Sequence, residues 1–235
     1  MNANPTVLLT NSDPALEAAI HATFPGLAVG DARALRHRMV PNGSTWCFID
    51  WLLEDGSGLE LCRRLRNAAD SAHWHITMVL DEDDAEIRRR SLRAGADDYM
   101  QGPLSPEGLV ARLNIHLADR RTTPSGHRRL VHGDLSADPM ARQARWRGRV
   151  VALRPNEFDL LIHFLAHPDR VFSRQSLIGH LGKDCASLDE RTVDVWVGRL
   201  RRALRREGVG DPIRTVRSLG YILDTSEEPA WRKAG

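Results

Sequence analysis

Lysine is all but missing from this chain of 235 residues. The first is Lys183 and only Lys233 follows, so nearly all of the 33 Lys+Arg are arginine. Chemistry that needs an ammonium group within residues 1–182 is excluded, and no choice of alignment can restore it. Cysteine is scarce: Cys47, Cys62 and Cys185. An odd, sparse set without metal-ligand spacing argues against a disulfide scaffold and fits a reducing compartment. Cys185, in a polar stretch, reads either as a redox handle or as an incidental thiol. No apolar run approaches the ~20 residues that cross a bilayer, and Met1-Asn2-Ala3-Asn4-Pro5 lacks the regions of a secretory signal. A cytoplasmic protein without a membrane partner is expected. There is no nucleophile–base pair and no phosphate-cradling glycine loop, so neither an enzyme nor a cofactor is expected. His73-Trp74-His75 sets two histidines one residue apart without a third ligand, which reads as the approach to a strand and not as a metal site.

Charge is plentiful and unevenly placed. The chain is 27% charged and 42% apolar, the balance of a globular protein, and is long enough for two ordinary domains. Residues 1–120 hold 12 Lys+Arg against 17 Asp+Glu, and residues 121–235 hold 21 against 14. The basic half is the candidate nucleic-acid binder. Arginine suits that role, because its planar fork makes bidentate contacts with phosphates and guanines.

Residues 6–120 alternate between strand-like and helix-like runs. Strands are predicted at Val7–Leu9, Gly26–Val29, Cys47–Asp50, Ile76–Leu80 and Tyr99–Met100. Helices are predicted over Pro14–Phe24, a short piece after the second strand, Ser57–Asn67, Ala85–Ala94 and Pro106–Asp119. Alternating βα units imply a five-stranded parallel sheet with helices on both faces, an α/β flavodoxin-like fold. Residues 121–128 are polar with Pro and Gly and read as a linker. Residues 129–226 form a second domain: short strand-like pieces, helices near 155–167, 173–181 and 190–206, then a hairpin at 213–216 and 221–223, which together make a winged helix. Residues 227–235 are a tail.

The helix from Asp189 to Leu204 carries the strongest signal. At ~100° per residue, Val193, Val197, Leu200 and Leu204 fall on one stripe. Arg191, Val195, Arg199 and Arg202 lie opposite, with Thr192 at the edge. Such a helix suits the major groove, or is a solvated basic helix packed on a core. Its surroundings favour the groove. Leu153-Arg154-Pro155-Asn156-Glu157-Phe158-Asp159-Leu160-Leu161, Arg170-Val171-Phe172-Ser173-Arg174, the Arg191–Arg202 helix and Ile213-Arg214-Thr215-Val216-Arg217-Ser218-Leu219-Gly220-Tyr221 follow in order at family-like spacing. Together they resemble the effector domain of OmpR/PhoB-type response regulators. The resemblance implies that Arg191, Thr192, Trp196, Arg201, Thr215 and Arg217 hold phosphates, and that Val195 and Arg199 meet base edges. Arg202 is a further phosphate candidate. Trp196 replaces a common histidine and either packs on the sugar-phosphate backbone or fills a crevice. Gly198 stands where many relatives carry a long polar or basic side chain, and costs the helix ~1 kcal/mol relative to alanine. Residues 182–188 correspond to the family's loop for RNA polymerase, a further expected partner.

The first half resembles a bacterial receiver domain, with Asp50 as phosphoacceptor, followed by Asp55-Gly56-Ser57-Gly58, Ala94-Gly95-Ala96-Asp97-Asp98-Tyr99 and Pro103. The resemblance implies three further needs. The first is an acidic pair for Mg²⁺ after the first strand, where this chain has Asn11 and Ser12. The second is a hydroxyl at the end of the fourth strand, where it has Leu80. The third is a lysine before the proline, where it has Gly102. Without cations, a phosphoryl dianion approaches a carboxylate uncompensated. A phosphorylation-independent, degenerate receiver is therefore expected, with Asp50 bathed in solvent or bonded to Ser12 or Asn11. Two alternatives stay open: conventional phosphorylation of Asp50 by a histidine kinase, and a docking module for a protein or small-molecule partner. The family pairs receivers through the fourth helix, fifth strand and fifth helix. Arg88, Asp98 and Arg112 match its interface charges, so a homodimer on tandem half-sites is expected.

Overall fold

The apolar runs of the first half assemble into one parallel sheet. The computed structural model describes residues 5–11, 13–34, 44–54, 56–71, 73–118, 129–183 and 188–224. Its first elements are β1 (Thr6–Leu9), α1 (Pro14–Thr23), β2 (Ala28–Asp31) and β3 (Thr45–Asp50). Then come β4 (Leu52–Leu53), β5 (Gly56–Ser57), α2 (Gly58–Asn67), β6 (His75–Leu80), α3 (Ala85–Ala94), β7 (Asp98–Gln101) and α4 (Pro106–Ala118). The sheet order is β2-β1-β3-β6-β7, every pair parallel. β6 is buried along its whole length and β3 up to Asp50, as expected for strands covered on both faces. Asp13 caps α1, its carboxylate accepting from Ala15 N at 2.8 Å, with Pro14 in the first turn. The predicted helix after β2 lies outside the described residues.

Two features depart from the expected pattern. The segment after Asp50 is a two-residue ladder, β4 against β5. α2 then starts hard against β3: a Cβ on Gly58 would overlap the Asp50 carbonyl oxygen. At the opposite end of the sheet a buried ion pair ties α2 to the loop before β7. Arg66 donates to Gly95 O (2.6 Å), to Trp74 O (2.8 Å) and to the Asp97 carboxylate, which also accepts from Ile76 N at 2.9 Å. The two side chains are 3% and 1% exposed.

The second half opens with β8 (Leu130–His132), β9 (Leu135–Asp138), β10 (Gln143–Trp146) and β11 (Arg149–Val151), an antiparallel meander in the order β11-β10-β9-β8. It continues with α5 (Pro155–Ala166), α6 (Arg174–His180), α7 (Arg191–Arg206) and the hairpin of β12 (Ile213–Val216) and β13 (Gly220–Leu223). Phe164, Leu177, Val193, Trp196 and Leu200 are fully buried at its core. Contacts divide the chain into two compact units, 1–116 and 117–235. The division falls in the last turns of α4, slightly before the expected boundary at 120. The linker at 121–128 and the tail at 227–235 lie outside the described residues.

Removing the Arg66 guanidinium leaves the Asp97 carboxylate buried without its cation. Arg66→Ala is expected to cost the first unit ~3–5 kcal/mol of unfolding free energy. Urea denaturation reads this directly, and a loss below ~1 kcal/mol would refute the importance of the pair.

Candidate DNA-binding surface and acceptor-like pocket

α7 separates its faces as an amphipathic helix must. Val193, Trp196, Val197, Leu200 and Leu204 are buried. Arg191 and Arg202 are exposed, and Val195, Gly198 and Arg199 are half-buried. Three of the expected phosphate contacts need correction. Trp196 is 0% exposed and lies under the ammonium of Lys183, 5.4 Å from its ring centre; it fills the crevice and cannot reach a sugar-phosphate backbone. Thr192 is 2% exposed, so its side chain belongs to the core. Arg201 turns inward to the hairpin. Its Nε donates to Ile213 O at 2.9 Å, its Nη2 donates to Thr215 Oγ1 at 3.0 Å, and Asp211 lies 3.2 Å away. Thr215 is exposed but holds Arg201, and Arg217 is exposed at the hairpin turn.

The hairpin is fastened at its base. Phe172 and Tyr221 exchange backbone hydrogen bonds of 2.8 and 3.0 Å. Gly220 permits this approach, because a Cβ there would overlap the Phe172 carbonyl oxygen. Tyr221 is also the hub of a polar cluster that motif reading missed. Its hydroxyl donates to Asp194 Oδ1 at 2.5 Å, and Arg174 Nε donates to the same oxygen at 2.7 Å. The guanidinium groups of Arg174 and Arg201 lie 5.2 and 5.6 Å from the Tyr221 ring centre. Burial and the Asp194 carboxylate push the tyrosine pKa up to about 12. α6, α7 and both strands of the hairpin thus meet at one side chain. Arg174 and Tyr221 stood in the quoted motifs, but no spacing signal joins Tyr221 to partners 27 and 47 positions away.

Behind this cluster three imidazoles crowd together. His163 stacks on His180, ring centres 3.7 Å apart, and lies 5.0 Å from His167 and 4.3 Å from Phe172. Its Nε2 is buried without a hydrogen-bond partner. Burial, and then the charges of His180, His167 and Arg170, lower its pKa to about 4.

At the acceptor-like end of the parallel sheet, Asp50 is bonded to Thr10, not to Asn11 or solvent alone. Thr10 Oγ1 donates to Asp50 Oδ2 at 2.6 Å and accepts from Asp50 N at 2.9 Å. Asn11 is exposed, Leu80 is 1% exposed in the core, and Ser12 lies outside the described residues. A Cβ on Gly102 would come within 2.8 Å of Val79 Cγ1, so a longer side chain there displaces Val79. Within the acidic run Asp81–Asp84, Asp83 pairs with Arg88 at 2.7 Å. Asp84 caps α3 through Ile87 N and Glu86 N, bonds that lower its pKa. The charges expected at a dimer interface also have partners within their own unit. Asp98, 0% exposed, accepts from Arg112 at 3.1 Å and from Tyr99 N at 2.8 Å. Arg88 lies 5.9 Å from the Tyr99 ring centre. His73 is exposed and His75 is buried in β6; among the described residues no three histidine, cysteine or acidic side chains gather as a metal site. Cys47 and Cys62 are buried, and Cys185 lies outside the described residues.

Residues 148–223 match the family model described as "Transcriptional regulatory protein, C terminal". The phosphate regulon transcriptional regulatory protein PhoB of Rhizobium meliloti (strain 1021) is 42% identical over 178 residues, 75% of this chain and 78% of that protein. The chain belongs to the OmpR/PhoB family of response regulators. The response regulator MprA of Mycolicibacterium vanbaalenii is 31% identical over 226 residues, covering 92% of this regulator and 96% of MprA. The structure of a RitR mutant superposes with a TM-score of 0.63 at 21% identity, over 94% and 98% of the two chains, a likeness of fold. As an OmpR/PhoB-family member, the chain is a DNA-binding transcription regulator with a receiver-type sheet and a C-terminal DNA-binding domain. Among the described residues, no helix of the regulator is long and apolar enough to cross a membrane.

His163 is neutral in the folded regulator and titrates near its ordinary pKa of 6.5 when unfolded. The unfolded state therefore binds more protons between these values. The stability that depends on a neutral His163 is complete above pH 6.5 and is lost as pH falls toward 4. His163→Leu is expected to flatten this part of the pH dependence in urea unfolding of the DNA-binding unit. An unchanged slope between about pH 7 and 4 would refute it.

Proposed function

We propose that this regulator binds specific DNA through α7 as a homodimer, and does so without phosphorylation of Asp50. The observation that carries the proposal is the surroundings of Asp50. One oxygen of the carboxylate is held by Thr10, and the family's cation and sensing positions are neutral or apolar at Asn11, Ser12, Leu80 and Gly102. A phosphoryl dianion placed there lacks the charge compensation that phosphoryl transfer relies on. On α7, Arg191 and Arg202 supply sequence-independent affinity through phosphates, aided by Arg217 on the wing, while Val195 and Arg199 read base edges. Thr215 contributes by holding Arg201 in place. The dimer forms through α3, β7 and α4. There Asp98 and Arg112 neutralise each other and stiffen the face, and Arg88 stays near its rim. Residues 182–188 meet RNA polymerase, and the protein works in the cytoplasm.

Asp50→Asn is expected to leave DNA affinity and promoter output unchanged. Phosphorylation of Asp50 that tightens DNA binding would overturn the proposal. Arg199→Ala is expected to weaken binding to the preferred site by ~1–3 kcal/mol with little change on random duplex. An equal loss on both, measured by fluorescence anisotropy, would assign Arg199 to the phosphates.

A further inference from the structure

The connection between α5 and α6 is tied to the hairpin by three backbone hydrogen bonds. Asp169 N donates to Leu223 O at 2.9 Å, Phe172 N to Tyr221 O at 2.8 Å, and Tyr221 N to Phe172 O at 3.0 Å. Phe172 takes part in two of them, and its ring is buried. The groups around that ring are titratable or charged. The ring centres of His163 and His167 lie 4.3 and 5.8 Å away, and the Arg170 guanidinium 5.2 Å. His180, in the last turn of α6, stacks on His163 at 3.7 Å. The charges acting on His163 come from His180, His167 and Arg170, all of them cationic when charged. Asp159, one turn earlier on α5, is paired with Arg142 at 2.8 Å. At the start of α6, Arg174 is paired with Asp194 at 2.7 Å. Asp169 is exposed on the connection. Tyr221 on β13 is neutral, its pKa pushed up to about 12. A proton added to His163 therefore sits among imidazoles and a guanidinium, and its buried Nε2 has no acceptor.

We propose that His163, His167 and His180 form an acid-sensitive latch on the wing, which holds Phe172 and the base of the hairpin while the rings are neutral and releases them when the cluster gains a proton. His167 and His180 are exposed, so protons reach the cluster from solvent. Burial and the neighbouring cations lower the His163 pKa to about 4 in the latched form, against 6.5 for a ring in water. The released form therefore binds more protons. The latch is complete above pH 6.5 and loosens as pH falls toward 4. A loosened hairpin no longer holds Arg217 in a fixed place beside α7, so DNA affinity falls with the same pH dependence. This last step rests on the proposed DNA contacts of α7 and the wing.

The test is amide hydrogen exchange of the full chain, read by NMR at about pH 7.5 and about pH 5.5 and corrected for intrinsic exchange. It compares the wild type with His163→Leu and His180→Gln, with circular dichroism checking that each stays folded. In the wild type, protection of the Phe172 and Tyr221 amides is expected to fall about five- to tenfold between the two pH values. Inner amides of α7, such as that of Leu200, are expected to stay better protected. The fall is expected to vanish in His163→Leu. It is expected to shrink in His180→Gln, which keeps the His163 ring but removes a neighbouring cation. Affinity for a duplex site selected by the wild type at the higher pH is expected to fall about three- to tenfold more in the wild type than in His163→Leu. An equal fall in protection in the wild type and His163→Leu overturns the latch. Exchange of Phe172 and Tyr221 only at the rate of Leu200 also overturns it, because that is global unfolding. Unchanged affinity with a released hairpin overturns the link to DNA. Failure of the wild type to select any site overturns the DNA reading by α7, and amide exchange still decides the latch.

Discussion

A buried guanidinium needs an anion, because leaving either charge of the pair alone in the interior costs several kcal/mol. In the receiver-like unit two such pairs are buried and others lie nearer the surface. Arg66 holds Asp97 under the sheet, Arg112 holds Asp98, and Arg88 holds Asp83. Arg33 lies between Asp31 and Glu54, at 3.4 and 3.6 Å. No lysine exists in this half to reach the carboxylate of Asp50. That carboxylate takes its short hydrogen bond from a neutral hydroxyl, Thr10. The proposed silence of the acceptor follows from this distribution of cations.

In the DNA-binding unit the ion pairs are partly exposed. Arg174 is fixed by Asp194, Arg201 by Asp211 and the β12 carbonyl, and Arg214 by Asp224. These pairs gather around Tyr221 and the base of the wing. They set the hairpin against α6 and α7. Arg191 and Arg202 are exposed on α7, and Arg217 at the hairpin turn.

Much of the fold was legible because burial on both faces writes itself as continuous apolar runs. Cys47–Ile49 and Ile76–Leu80 became the central strands, and the wing strands fell within one residue of the expected hairpin. β9 was not legible: Leu135-Ser136-Ala137-Asp138 alternates, but with side chains too small or polar to announce a strand. The helical wheel separated the faces of α7. It left Trp196 and Thr192 ambiguous, since both sit at the edge of the apolar stripe and only packing decides which edge is covered. The Thr10–Asp50 bond depends on β1 lying beside β3 in a register that pairs Leu9 with Phe48, and strand register leaves no trace in a single sequence. The Tyr221 cluster was hidden for the same reason, its members being brought together by tertiary packing alone.

We propose that Asp50 is chemically silent because the family's cation and sensing positions are neutral or apolar in this chain. Incubating the full chain with a small-molecule phosphodonor and Mg²⁺, and following the intact mass over time, tests this silence. No phosphoryl group is expected to be added at Asp50, even with excess donor. Accumulation of a phosphorylated chain that is abolished in Asp50→Asn would contradict it.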